Sequence, residues 1–128
     1  MATLVLLFLL IFSSHVNAEW TYLTEHKNGQ TYYIDYHKTK KTDNEIYFWV
    51  LTNNPEPNKE GTLSSVTYRK SDCIVPRKQM ILSFMTYDLH FGEGNNLVSY
   101  NRGKEWIYPN PESVTEFIIN TMCEFYSY

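Results

Sequence analysis

Apolar and polar residues alternate along much of the chain, and this alternation predicts β-strands. Residues 20–25 and 31–36 both alternate, and Asn28-Gly29 between them favours the positive φ angles of a tight turn, so the two segments should form an antiparallel hairpin. Residues 46–51 are instead apolar on both faces, which predicts a strand covered by a helix on one side and by a partner or loop on the other. Further strands are predicted at residues 63–70, 78–88, 97–100 and 106–108.

Polar segments separate these predicted strands. Residues 38–44 and 53–61 are predicted to be loops from their Lys, Asn, Pro and Gly content. Residues 71–77 should connect two strands, and residues 91–96 should form a turn.

The period of the pattern changes near the end of the chain. From Val114 the side chains of one face recur at steps of three and four, which is typical of an amphipathic helix. Asn110 is predicted to cap this helix, with Pro111 at its first position and Glu112 near the positive end of its dipole. The expected fold class is therefore α+β: a single antiparallel β-sheet of about six strands with one C-terminal amphipathic α-helix packed on it.

The first 18 residues have the composition of a secretory signal peptide. An unbroken apolar run at residues 4–12 precedes Val16-Asn17-Ala18, which offers small residues at a cleavage site. The run is shorter than the roughly 20 residues of a membrane-spanning helix. We therefore expect residues 1–18 to be removed, and residues 19–128 to form one exported domain without an integral membrane segment. Glu19 stands where a cysteine would suggest a lipid anchor.

Charge and composition narrow the classes of partner. The chain has 11 Lys and Arg against 14 Asp and Glu, a net charge of −3, which argues against a nucleic-acid partner. The sequence lacks Cys and His pairs at the short spacing of metal ligands, and Gly92-Glu93-Gly94 lacks the strand-to-helix context of a phosphate loop. We expect no cofactor and no metal.

The two cysteines admit three interpretations. A catalytic Cys73 would need a nearby base, and His26, His37 and His90 are candidates without a recognisable motif. A metal-ligating Cys73 would need closely spaced partners. A disulfide with Cys123 suits an exported chain. It would close a long loop and so stabilise the folded state by roughly 4 kcal/mol in the chain-entropy model. We favour the disulfide, which would join the helix end to the sheet.

Other polar residues suggest catalysis only weakly. Asp35 and Asp88 could form an acid and base pair, but each lies at a predicted strand end, where solvated or turn-capping carboxylates are common. A small hydrolase would need a histidine to meet an acid in a cleft.

Two basic segments and the tyrosines are candidates for binding. Residues 37–41 could hold an anionic glycan or an acidic protein segment, although a solvated loop is the simpler interpretation. The candidate ligand surface combines this segment with the neighbouring aromatic strand: Lys38, Lys40, Lys41, Tyr47 and Trp49. A second basic set is better explained by ordinary outward strand positions: Arg69, Lys70, Arg77 and Lys78. Six tyrosines could line a peptide-binding face but are expected to pack across neighbouring strands: Tyr22, Tyr32, Tyr36, Tyr47, Tyr68 and Tyr87.

Several longer segments resemble a known family. The resemblance is carried by these segments: "NGQTYYIDY", "FWVLTNNPEP", "SDC" followed by basic residues, "FGEGNNLVSY", "EWIYPNPESV" and a terminal helix containing Cys123. Together they are similar to the surface-adhesin protein E family of small exported bacterial proteins. The resemblance implies an antiparallel sheet with a C-terminal helix. It also implies binding of host extracellular-matrix or plasma proteins such as vitronectin and laminin, and formation of a homodimer. No binding residue can be carried over from the family.

These observations lead to two hypotheses of function. The first is an exported, non-enzymatic protein-binding domain that uses its sheet face or an edge strand, at the cell surface or secreted. The alternative is a periplasmic accessory or structural protein without a host ligand, which the missing anchor cysteine favours.

Overall fold

The computed structural model describes residues 18–101 and 105–126; the predicted signal peptide, except for Ala18, lies outside them. Seven strands precede one helix in the described residues. The strands are β1 Thr21–Glu25, β2 Thr31–Ile34, β3 Lys40–Thr42, β4 Glu45–Asn53, β5 Ser64–Asp72, β6 Lys78–Tyr87 and β7 Asn96–Asn101. The helix, α1, is Val114–Phe125, and two 3₁₀ turns lie at Tyr36–Lys38 and His90–Gly92.

All strands belong to one antiparallel sheet, as the sequence predicts. The strand order is β1-β2-β4-β5-β6-β7, and β3 pairs with β4 beside that path. The β1–β2 hairpin turns at Gly29, whose φ of +89° is readily adopted by glycine. The Gly29 N–H donates to the carbonyl of His26 at 2.9 Å. The expected α+β fold with one sheet and one C-terminal helix is confirmed.

Two predicted segments differ from the structure. Residues 38–44 are not wholly a loop, because Lys40–Thr42 pairs with the first part of β4, with Lys40 opposite Tyr47. Residues 106–108 are not a strand: a single bridge joins Ile107 to Gln79, with backbone bonds of 2.8 and 2.9 Å. In both cases the pairing depends on an available sheet edge, which local alternation does not reveal.

The main core lies between α1 and one face of the sheet. This helix face carries Ile46, Phe48 and Val50 of β4, which are fully buried. The other side chains of the cluster are Ile34, Cys73, Ile118, Ile119, Met122 and Cys123. Each buried aliphatic or aromatic side chain stabilises the fold by roughly 1.5–3 kcal/mol. The helix that the three-and-four pattern predicts is thus held to the sheet by its apolar face.

The start of α1 differs from its prediction. The N-cap is Ser113, not Asn110, and its Oγ accepts a hydrogen bond from the Glu116 N–H at 3.1 Å. The Glu116 carboxylate in turn accepts from the Glu112 N–H at 3.1 Å. Glu112 has a φ of +63°, so Pro111 and Glu112 belong to a turn before the helix. A serine with a glutamate three residues later is the favourable combination at a helix start.

The disulfide is confirmed. The sulfur atoms of Cys73 and Cys123 are 2.03 Å apart, and the bond joins the segment after β5 to the last turn of α1. Arg77 adds a second link, since its Nη1 donates to the Asn120 side chain at 2.9 Å. Both sulfurs are therefore structural, which removes Cys73 as a nucleophile or metal ligand. No helix in the described part of the chain has the length and apolarity needed to cross a bilayer.

Arg69 does not occupy the outward position that was expected. It lies opposite Phe48 on the helix face and is 8% exposed. Its Nε donates to the Thr67 hydroxyl at 2.8 Å. Burial lowers the pKa of the guanidinium to about 10. This charge is desolvated without a carboxylate partner among the described residues, so its burial opposes folding.

Replacing Arg69 with methionine is expected to stabilise the protein by roughly 1–3 kcal/mol at neutral pH, because the aliphatic stem is retained and the buried charge is removed. The folded-state pKa lies below its ordinary value, so the destabilisation is complete at pH 7 and lessens as pH rises through about 10. Urea unfolding at pH 7 measures the gain. A methionine variant less stable than the parent would show that the guanidinium is net favourable.

Candidate functional site

The sheet face opposite α1, here the second face, carries partly buried aromatic rings. Tyr47 and Trp49 of β4 alternate with the core residues and therefore point away from the helix. Tyr68 lies opposite Trp49 on β5. Its ring centre is 4.6 Å from that of Trp49 and 6.2 Å from that of Tyr47. These three residues, the aromatic row, form a continuous surface, and burial raises the pKa of the Tyr68 hydroxyl.

Lysines and a second tryptophan lie at one end of the aromatic row. The Lys70 ammonium is 5.7 Å from the ring centre of Tyr47 and 4.9 Å from that of Trp106. Lys78 lies on the same tryptophan at 4.7 Å. Lys70 also pairs with Glu45 at 3.4 Å. Cation–π contacts of this kind order long side chains that would otherwise be mobile, so this end of the second face presents fixed positive charge.

The structure divides the five residues of the candidate ligand surface. Lys40 lies opposite Tyr47 and shares the second face with it and with Trp49, while Lys38 lines an adjoining cavity. Lys41 lies on the other side, where its ammonium donates to the carbonyl of Tyr126 at 3.3 Å. A cation at the carboxyl end of a helix is favourable for the helix dipole. Four of the five residues are therefore brought together, and Lys41 is separated from them.

A cavity of about 640 Å³ adjoins the aromatic row, and Trp49 forms part of its wall. Three further aromatic side chains line it: Trp20, Tyr87 and Phe91. They come from the segment before β1, from the end of β6 and from the second 3₁₀ turn. The cavity is thus assembled from parts of the chain that are distant in sequence, and the sheet brings them together.

The second 3₁₀ turn is fixed against the sheet. Gly92 has a φ of +70°, and a Cβ atom there would lie 3.2 Å from a methyl group of Val66. The Gly92 N–H donates to the Ser64 hydroxyl at 2.9 Å, and the Phe91 N–H donates to the side chain of Asn53 at 2.8 Å. The phenyl ring of Phe91 also contacts Tyr33, with ring centres 5.2 Å apart. This cavity wall is therefore held in place by contacts within the chain.

Another part of the cavity wall comes from a short segment, residues 35–39, that leaves the sheet edge between β2 and β3. β2 and β3 pair with successive parts of the same edge of β4, and the first 3₁₀ turn separates them. Asp35 begins the excursion, with its N–H donating to the Trp49 carbonyl at 3.4 Å. Its carboxylate accepts from the His37 N–H at 3.1 Å and lines the cavity, although the residue is 1% exposed. In the described part of the chain that N–H is the one hydrogen-bond donor to the carboxylate.

The carboxylate pair considered in the sequence has separate local roles. Asp35 caps the first 3₁₀ turn, whereas Asp88 accepts hydrogen bonds from the backbone and side chain of Asn95 at 2.7 and 2.9 Å. The bonds from Asn95 hold the pKa of the Asp88 carboxyl below its ordinary value. Each carboxylate closes its own turn, as the simpler interpretation held.

The three candidate histidines also have separate surroundings. His26 lies in the β1–β2 turn, and His37 forms an exposed pair with Glu19 at 2.7 Å. Nε2 of His90 lies 2.7 Å from the Asn54 carbonyl oxygen. No group of three or more His, Cys, Asp or Glu side chains in the described ranges is arranged to hold a metal ion. The histidine contacts in the described residues are therefore local ones: a turn, an exposed ion pair and a backbone carbonyl.

Sequence reasoning missed several residues of this face. The sequence predicts that Tyr68 packs across strands, without placing it in the candidate surface, and it predicts an ordinary outward position for Lys70. It predicts a strand at Trp106 and a turn at Phe91, with no role for either residue. The missing information is the register that places Tyr68 beside Trp49, together with the bridge at Ile107 that holds the neighbouring Trp106 against β6.

The comparisons agree with this architecture. The sequence profile of the surface-adhesin protein E family matches residues 20–124. None of the curated proteins matches the chain in sequence. Crystal form II of Haemophilus influenzae protein E is similar in fold, with a TM-score of 0.65, 19% identity, and coverage of 89% of this chain and 94% of that chain. Protein E from non-typeable H. influenzae gives a TM-score of 0.59 and 18% identity, over 90% of this chain and 83% of that one. The chain belongs to the surface-adhesin protein E family.

Proposed function

We propose that this protein is an exported, non-enzymatic, adhesin-like domain that binds another protein through its second face. Membership of a surface-adhesin family supports the general role and a location outside the cytosol. The observation that carries the proposal is the aromatic row, Tyr47, Trp49 and Tyr68, which is partly exposed on the face that α1 leaves uncovered.

The chemistry of the second face resembles that of protein interfaces. Tyrosine and tryptophan are enriched at the energetically important centres of such interfaces, because each combines a large apolar area with a polar group. Lys40, Lys70 and Lys78 border the row and are suited to acidic groups at the rim of a partner. The disulfide and the helix core support the same strands from behind, so the face is preorganised for binding.

Host matrix or plasma proteins are the proposed partners, and the family name supports this class. A second copy of the chain is the other candidate for the same face, since an aromatic surface can pair with itself around a two-fold axis. Light scattering coupled to size-exclusion chromatography distinguishes these occupants. A strict monomer without affinity for matrix proteins would contradict the adhesin role, and retention in the periplasm on cell fractionation would favour an accessory protein.

A double substitution, Trp49→Ala with Tyr68→Ala, is expected to weaken binding to immobilised vitronectin or laminin at least about tenfold, because central aromatic side chains dominate interface energies. Biolayer interferometry measures the change. Phe117→Ala is the matched control: this ring is 49% exposed on α1, away from the second face, and its loss should leave binding unchanged. Equal effects of both variants, with the folded fraction confirmed by circular dichroism, would contradict the proposed surface.

A further inference from the structure

The cavity beside the aromatic row combines ring faces with carboxylates. Trp20, Trp49, Tyr87 and Phe91 supply the aromatic lining. The faces of such rings are electronegative and attract ammonium and guanidinium groups, most strongly where water is excluded. Aromatic lining alone would also suit an uncharged apolar ligand, so the charged groups of the cavity decide between these classes.

The charged groups that line the cavity are two carboxylates and one ammonium group. Asp35 and Glu93 are the acids and Lys38 is the base, and no ion pair joins Lys38 to either acid in the described residues. Lys38 is exposed, whereas Asp35 is 1% exposed. A buried carboxylate with a single neutral donor is stabilised by a cation that approaches it. The fixed charge inside the cavity therefore favours a positive ligand.

The location of the cavity indicates where such a cation comes from. Trp49 belongs both to the aromatic row and to the cavity lining, so a protein that covers the row lies directly beside the cavity. The volume of about 640 Å³ accommodates a long side chain together with water. We propose that this cavity binds a lysine or arginine side chain of the protein partner, an inference that rests on the proposed function.

The test uses the three tryptophans as reporters. The exported, processed protein is labelled with ¹⁵N and titrated with the blocked peptide acetyl-Gly-Lys-Gly-amide and with its arginine analogue, while the indole N–H signals are followed by NMR. Saturable shifts are expected at Trp20 and Trp49 and not at Trp106, which lies at the basic end of the face. The norleucine and glutamate peptides, which lack the cation, should bind at least about tenfold more weakly.

Charge-removing variants identify the residues responsible. Asp35→Asn keeps an oxygen that can accept from His37 and should weaken lysine-peptide binding about tenfold, since a hydrogen bond to a charged group is lost. Glu93→Gln, in an exposed position that needs no refolding of the core, should weaken binding severalfold. Glu56→Gln, an exposed change in the loop after β4, is the control and should have no effect.

Several outcomes would overturn the inference. One is binding of the norleucine peptide as tight as that of the lysine peptide, and another is a shift of the Trp106 signal alone. The others are unchanged binding in both cavity variants, and binding of spermidine by a protein that does not bind the lysine peptide. Full lysine-peptide binding by a protein without affinity for matrix proteins would instead remove the adhesin role and leave the cation site intact. The two proposals therefore fail in different experiments.

Discussion

Replacing Phe48 with alanine is expected to lower the free energy of unfolding by about 3–5 kcal/mol, the range found when a buried phenyl ring is deleted. Phe48 is fully buried on the helix face, in the cluster that also contains Ile118, Ile119 and Met122 of α1. The loss has two parts. The free energy gained by transferring the ring out of water is lost, and a cavity with fewer van der Waals contacts remains between rigid elements. A domain of this size is stable by only about 5–15 kcal/mol, so the effect is a large fraction of the total.

Urea unfolding followed by tryptophan fluorescence measures this change. Phe117→Ala removes the same ring from a helix position that is 49% exposed, and it should cost less than about half as much as Phe48→Ala, because only part of the ring is buried and no closed cavity remains. A similar cost for both substitutions would contradict the assignment of Phe48 to the core. A small cost for Phe48→Ala alone would indicate that the helix does not pack on this face.

Replacing both Cys73 and Cys123 with alanine is expected to cost about 4 kcal/mol. The two residues are 50 positions apart, and opening a loop of that length releases conformational entropy in the unfolded chain. Both side chains are almost completely buried, so alanine avoids placing a hydroxyl group in the core. The disulfide joins the end of α1 to the segment after β5, and the helix should therefore separate from the sheet more readily without it.

Comparison with the parent protein under reducing conditions is the control for this variant. Reduction should lower stability by a similar amount, because it removes the same cross-link without changing any residue. The dependence of unfolding free energy on urea should also increase, since the unfolded chain without a cross-link exposes more surface. An unchanged unfolding midpoint in both experiments would show that the bridge does not stabilise the fold.

Most of the regular elements follow from local pattern, with β3 as the exception. Alternation predicts β1 and β2, the further segments predicted as strands at residues 63–70, 78–88 and 97–100 match β5, β6 and β7, and the change to steps of three and four predicts α1. These signals are strong because one face of each element is buried and the other is not. The strand apolar on both faces, β4, was also interpreted correctly, since α1 covers one side and the aromatic row and second 3₁₀ turn occupy the other.

The differences arise where a residue depends on distant partners. Lys40–Thr42 is polar and still forms β3, because β4 offers an unpaired edge there. Arg69 alternates as an outward residue would, but the register with Phe48 places it under the helix. Ser113 rather than Asn110 caps α1 because the left-handed Glu112 delays the first turn. In each case tertiary pairing overrides the local preference.

The candidate site was predictable only in part. Lys40, Tyr47 and Trp49 share a face because β3 and β4 pair in register, and the local sequence pattern indicates β4 but not its partner strand β3. The cavity could not be predicted, since its lining combines Asp35 with Phe91 and other residues far apart in the chain. Such a site exists only after the strand order is known.

The excursion between β2 and β3 has a consequence for variation among relatives. Both flanks of residues 35–39 are anchored on β4, so insertions or exchanges within that short segment leave the neighbouring strand alignment untouched. Cavity shape and charge can therefore diverge independently of the scaffold. If the cavity binds a cation as proposed, relatives with superimposable sheets are expected to differ in what they bind there.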